Sequence, residues 1–223
     1  MLASSGVGIG GDLFDERIVR SRMLGHLGYG STYGGAKRLP VPAYIFEALA
    51  QWQAIPTRFT LPTLRLIQQA LATSDRPQEL RVLYTLISKN YGFKMFQEAE
   101  RAKCELSDRE EAAIRLMDED IRILEPLTRE QLEGIIAADV ARVERCVEEA
   151  VTASALGPEE IDVVLATGGS SAIPIFQRIL ERKFRAGKVR EHDLFAAVTQ
   201  GLAVAAYYRD QTGKEDTRQP QRG

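Results

Sequence analysis

The sequence predicts an α/β chain, and three observations carry that prediction. Apolar residues recur at spacings of three and four over 92–107 (Phe96, Ala99, Ala102, Leu106) and again from Leu132 to Val151, the period of a helix with one buried face. Between these segments the period drops to two: Ala112, Ile114 and Leu116, then Ile121 and Ile123, alternate with polar residues around the turn-prone Asp118-Glu119-Asp120. Last, IDVVLA at 161–166 is a near-continuous apolar run of the kind a strand covered on both faces requires, and TGGSS leads from it into another helical pattern.

In chain order, the first helix begins near Asp12, a residue suited to an N-cap, and runs through LFDERIVRSRMLGHLG. Gly28, Gly30, Gly34 and Gly35 then stand too close together for helix or strand. Prolines at 40, 42, 56, 62 and 77 divide the next stretch into short helices, expected over about 43–53, 61–72 and 77–90. The helix over 92–107 and a β-hairpin follow. Thr128 and Gln131 form a capping box, and Leu127 with Leu132 fits a hydrophobic staple. The helix they open carries Leu132, Ile135, Ile136, Val140, Val143, Val147 and Val151 on one stripe and ends at Gly157-Pro158. After the strand at 161–166 come helices over 173–185 and about 194–209, then a polar tail from 210 to 223 whose composition is that of a disordered segment.

The 223 residues suffice for one large domain or two small ones. Lys and Arg number 29 against 31 Asp and Glu, a balance that argues against a dedicated nucleic-acid binder. Cys104 and Cys146 show no CxxC or Cys/His spacing, so neither a disulfide framework nor a zinc site is expected. No apolar run reaches the roughly 18 residues of a membrane span, and the N-terminus lacks a signal-peptide pattern. The expectation is a soluble, cytoplasmic protein with no membrane or nucleic-acid partner.

Four features invite a chemical reading. Gly6, Gly8 and Gly11 match GxGxxG, yet too few residues precede them for the strand that a dinucleotide loop follows, so a turn into a helix is the better account. The strand–turn–helix at 161–185 could present backbone around Gly168 and Gly169 to a ligand, or be a plain connection with Ser170 or Ser171 as cap. Glu100, Lys103 and Ser107 share one helix face, able to hydrogen-bond a nucleoside or simply to be solvated. Arg178, Arg182, Lys183, Arg185, Lys188 and Arg190 form a basic run that reads as an exposed face. His26 and His192 are isolated. No nucleophile–base constellation and no metal cluster can be assembled.

Taken in order, GGDLFDERIV at 10–19, EAERAKCELS at 98–107, LTREQLEGII at 127–136, IDVVLATGGSSAIPIFQRIL at 161–180 and VTQGLAVAA at 198–206 resemble the heat-shock protein 70 (DnaK-type) ATPase family. The Pro-punctuated insert and GYGSTYGG point to its divergent, YegD-like branch. The resemblance implies part of an actin-like (ribonuclease H-like) fold, the second lobe of its ATPase domain. Residues 1–126 would be the outer subdomain of helices and hairpin, and 127–209 the C-terminal part of the inner βα subdomain. It further implies a cleft for ATP or ADP, with Glu100, Lys103 and Ser107 approaching the ribose and adenine, Gly168, Gly169 and Ser170 on the opposite side, and Gly11 nearby. A co-chaperone or exchange factor is the implied protein partner, and chaperone-type ATP hydrolysis the implied activity.

The chain departs from that pattern in places. Cys104 stands where the family has an adenine-stacking Arg, Ala172 where it has a second Arg, and the region of Phe195 lacks an expected acidic residue. The DxGT and DxGGGTxD phosphate loops and the phosphate-contacting Lys are not in this sequence. The magnesium and γ-phosphate that phosphoryl transfer depends on would be held by those parts. The chain by itself is therefore expected to be a truncated product or fragment that contributes no catalytic residue and does not hydrolyse ATP. A non-catalytic interaction module with the same fold is the rival expectation. A strand at 161–166 without its neighbours would have an open edge, and self-association through that edge is expected.

Overall fold

The computed structural model describes residues 1–51, 59–191 and 197–215. His192, Phe195 and the tail from 216 to 223 lie outside the described residues, so the expectations placed on them are not addressed by it. Two compact units divide the chain: Ser5–Val147, and Glu148 onward together with Met1–Ser4.

The larger unit opens with α1, Gly11–Ile18, which passes through a π-helical turn (Val19–Met23) and a 3-10 turn (Leu24–Leu27). Gly10, extended, takes the cap position in place of the expected Asp12, which sits in the first helical turn. A carboxylate there still meets the positive end of the helix dipole. The glycine-rich stretch holds a two-residue antiparallel pair, β1 (Thr32–Tyr33) with β2 (Leu39–Pro40). Asp75 holds its first strand, accepting hydrogen bonds from the Thr32 amide (2.9 Å) and hydroxyl (3.0 Å). Among the described residues, short helices follow at α2 (Ala43–Leu49), α3 (Leu61–Leu71) and α4 (Pro77–Ser88).

Next comes α5, Gly92–Asp108, which packs on the hairpin formed by β3 (Glu111–Met117) and β4 (Arg122–Thr128). The hairpin pairs in antiparallel register from Glu111 opposite Thr128 to Met117 opposite Arg122. Ile114, Leu116, Ile123 and Leu127 are buried while Arg115 and Leu124 face out, the alternation a sheet with one covered face requires. Asp118 ties the turn to α5, with Lys94 Nζ at 3.0 Å from its carboxylate. Phe14, Ile18, Met23, Ile45, Leu49, Leu80, Leu83, Met95, Ala99 and Leu106 fill the core.

Helix α6, Arg129–Ser154, starts at the predicted capping box: the Gln131 amide donates to Thr128 Oγ1 (3.2 Å) and the Thr128 amide to Gln131 Oε1 (3.1 Å). Its stripe is fully buried at Leu132, Ile136 and Val140, whereas Val143, Val147 and Val151 are half-buried. Residues 129–147 of α6 belong with the hairpin unit, held there also by Arg17 on Asp139, so the two compact units divide inside the helix.

In the second unit, β5 (Val164–Ala166) is shorter than the apolar run and pairs in parallel with β6 (Val189–Glu191) through the connecting helix α7 (Pro174–Phe184). The run was expected to be covered on both faces. Ala166 is buried, but Val163 and Leu165 are 53% and 61% exposed, because only one strand lies beside β5 among the described residues. The last helix, α8, extends over Ala197–Glu215, past the expected end near 209 and into the segment read as a tail. Leu202, Val204, Tyr207 and Tyr208 on it are exposed. No helix among the described residues is long and apolar enough to cross a membrane.

Candidate functional site

The face of α5 that carries Glu100, Lys103 and Ser107 has a graded environment. Glu100 is exposed, Ser107 half-buried and Lys103 buried. Burial of an ammonium requires oxygen partners, and the chain supplies them from α1. Lys103 Nζ lies 2.8 Å and 2.9 Å from the two carboxylate oxygens of Asp15, and it donates to the Gly11 carbonyl at 3.3 Å. Gly11, Lys103 and Asp15 are thus brought together, and the glycine pair that opens α1 is joined to the middle of α5.

Asp15 is itself buried, and burial pushes its carboxyl up to about 6; the hydrogen bond and charge of Lys103 oppose that rise, and the charges of Glu100 and Asp12 add to it. Beside the pair lies an open cleft lined by Asp12, Asp15, Phe93, Phe96, Gln97 and Glu100. Its chemistry is that of hydrogen-bond acceptors around aromatic surface. Sugar hydroxyls and exocyclic amines, which donate, suit it; phosphate groups, facing three carboxylates, do not. The residues therefore fit the nucleoside end of a nucleotide. Ser107 is engaged through its backbone, its carbonyl 3.4 Å from Arg129 Nη2. Cys104 is exposed on the same helix as a free thiol.

From the sequence, Asp15, Phe93 and Gln97 were not singled out, and Asp12 only as a helix cap. The available signal was the i, i+3 spacing of Asp12 and Asp15 just after a Gly-Gly pair, which puts both carboxylates on one helical face. Nothing local tells which of them pairs with Lys103.

In the second unit, the predicted glycine turn follows β5 directly. Gly168 has φ +90°, where a side chain is strained, and a Cβ built on it would meet nothing within 4 Å. The Ser171 amide (2.9 Å) and hydroxyl (2.7 Å) both donate to the Gly168 carbonyl, and the Ile173 amide donates to Ser170 (3.2 Å). Neither Ser170 nor Ser171 caps α7. Residues 169–172 make a 3-10 turn of their own, and Pro174, which has no N–H, is the first residue of the helix. Gly168 and Ser170 are half-buried and Gly169 is exposed, so the turn presents backbone to its surroundings.

Elsewhere, His26 is not isolated: its Nε2 is 2.7 Å from the Glu125 carboxylate, which also pairs with Arg22. In the basic run, Lys183 pairs with Glu148 at 3.6 Å and Lys188 donates to the Glu159 carbonyl at 2.6 Å. Among the described residues no group of three His, Cys, Asp or Glu side chains could hold a metal ion.

Comparison with known proteins agrees with this arrangement of motifs. The family model described as Hsp70 protein matches residues 87–217. The chain is similar to the chaperone protein DnaK of Thermosipho africanus, 30% identical over 114 residues that make up 48% of this chain and 19% of that protein. It is also similar to the DnaK proteins of Deinococcus deserti (32% over 96 residues; 40% of this chain, 15% of the relative) and Elusimicrobium minutum (34% over 116 residues; 48% and 18%). The matched region spans less than a fifth of the length of these curated relatives. With the family match covering more than half of its residues, the chain belongs to the Hsp70 protein family.

Proposed function

We propose that this chain forms the adenosine side of a chaperone-type nucleotide cleft, with the actin-like second-lobe fold that Hsp70 membership implies. In this reading Ser5–Val147 corresponds largely to the outer subdomain and the βα unit to the end of the inner one. One observation supports it above others: the Lys103 ammonium joins the Gly10-Gly11 turn to the α5 face, beside a cleft of acceptors suited to a nucleoside. Glu100 would accept from the ribose hydroxyls, Ser107 would lie toward the base, and Gly168, Gly169 and Ser170 would offer the backbone of their turn in the second unit. ATP, with magnesium, supplies the transferable phosphoryl group; hydrolysis is proposed only for a protein or assembly that also provides phosphate loops, as the longer relatives leave room for. A co-chaperone or exchange factor, a cytoplasmic location and the YegD-like branch belong to the same proposal.

The test is calorimetric titration of the whole chain with magnesium-ADP and magnesium-ATP. Saturable binding that Lys103→Ala weakens supports the reading. A second reading, an interaction module that keeps the fold without binding nucleotide, is favoured by Cys104 and Ala172, which forgo the guanidinium groups expected there. Loss of an Arg stacked on the base costs about 0.5–2 kcal/mol. No heat of binding from either nucleotide would leave that second reading standing.

A further inference from the structure

Resting on the nucleotide reading, we propose that Asp15 is a positioning residue for this site: it clamps the Lys103 ammonium against the Gly11 carbonyl and so holds the first turn of α1 on α5. An ammonium has three N–H donors and no acceptor. Three oxygens lie within reach of this one, two from Asp15 and one from Gly11, at 2.8, 2.9 and 3.3 Å. It donates to Asp15 Oδ2 and to the Gly11 carbonyl, while the buried Asp15 Oδ1 pairs with it by charge without a hydrogen bond of its own. Lys103 is 8% exposed and is not among the residues that line the cleft, whereas Asp15, at 6%, is. Asp15 thus joins Asp12 and Glu100 in the lining of the cleft.

The clamp holds only while Asp15 is charged. An ammonium at this depth without its counter-ion is driven toward water along its flexible stem, which releases the Gly11 carbonyl and the start of α1. The charged and titratable groups facing Asp15 are Lys103, Glu100 and the Cys104 thiol from α5, and Asp12 from its own helix. Burial, opposed by Lys103 and aided by the charges of Glu100 and Asp12, lifts its carboxyl to about 6, so the clamp loosens as pH falls through that value.

The experiment uses the whole chain, with magnesium-ADP as ligand, and reads binding across about pH 5–8 together with the rate at which an amine-acylating reagent labels Lys103, followed by peptide mass spectrometry. Asp15→Asn is expected to weaken binding about tenfold near neutral pH, the effect of losing one charge-assisted hydrogen bond. It should also flatten the pH dependence below 7 and speed labelling of Lys103, and Asp15→Glu should recover part of each. Lys103→Met, apolar and similar in length, should cost about as much, and the double variant no more than either single one, because all three break the same clamp. Native near-ultraviolet circular dichroism of each variant excludes global unfolding as the cause, and the wild-type pH profile tests the clamp without any substitution. Binding by Asp15→Asn within twofold of wild type, or additive losses, would overturn the clamp while leaving the nucleotide reading intact. Failure of the wild-type chain to bind, with Lys103 still protected from labelling, overturns the nucleotide reading and the positioning role with it.

Discussion

Arg17 and Asp139, 122 positions apart, form the tie between α1 and α6: Nε donates to the carboxylate at 2.9 Å and Nη2 at 3.4 Å. The Asp139 side chain is only 4% exposed, and its other cationic contact is Arg142 at a longer 3.5 Å. Replacing Arg17 with Met therefore strands a nearly buried carboxylate. Because Arg17 is itself one-third exposed and Arg142 remains, the loss is expected at about 1–3 kcal/mol, less than for a wholly buried pair. Urea denaturation followed by circular dichroism would read this as a lower midpoint, and replacing Asp139 with Asn as well should restore part of it. An unchanged midpoint for Arg17→Met would show the tie to be energetically idle.

Two carboxylates should move stability in opposite directions with pH. Asp15 is raised to about 6 by burial, so the fold favours its protonated form: its contribution is complete below about pH 4 and is lost as pH rises through 6. The shift corresponds to an order of 3 kcal/mol. Asp118 is held down to about 2, first by the hydrogen bond from Lys94, then by those from the Glu119 amide and Tyr91. Its contribution is present above about pH 4 and disappears as pH falls through 2. Thermal melts from pH 2 to 8 of wild type, Asp15→Asn and Asp118→Asn would separate the two. Each variant should remove its own limb of the profile.

Gly28 adopts φ +83° at the end of the first helical segment, and a Cβ added there would come 2.9 Å from Leu80 Cδ2 and 3.4 Å from its Cγ. Gly28→Ala combines a left-handed backbone with pressure on a fully buried leucine of α4. A loss of about 1–3 kcal/mol is expected. Gly30→Ala is the control: it has a similar φ, +80°, but nothing within 4 Å, so it should cost clearly less. Equal melting temperatures for the two variants would contradict the packing argument.

Leu165 presents 61% of its surface on a strand with one described neighbour. An open edge with apolar side chains invites a second copy. Leu165→Lys is expected to lower the sedimentation-derived association of the chain while changing its melting temperature little, since an exposed position contributes within about 0.5 kcal/mol. Association that is unaffected by the charge would move the contact elsewhere.

What the sequence alone determined is what depends on near neighbours. The period of α5 names Phe96, Ala99, Ala102 and Leu106 as its buried side, and all four are buried. The two-residue period over 112–123 becomes the hairpin, and Thr128 with Gln131 becomes a reciprocal cap. Each follows from hydrogen bonds or burial within a few residues, where the chain has few alternatives. The Gly168-Gly169 turn after the strand and the family resemblance were legible in the same way, from short motifs in order. The tertiary structure decided what depends on partners far along the chain. Lys103 is buried because Asp15, 88 positions away, offers the charge that makes its burial tolerable. His26 finds Glu125 across 99 positions. Val163 and Leu165 belong to an apolar run that reads as a covered strand, yet they stay exposed, because coverage is a property of neighbouring strands and not of the run itself. Periodicity specifies which face of an element is apolar; which side chain meets it, and which charge compensates a buried one, is settled only when distant segments pack.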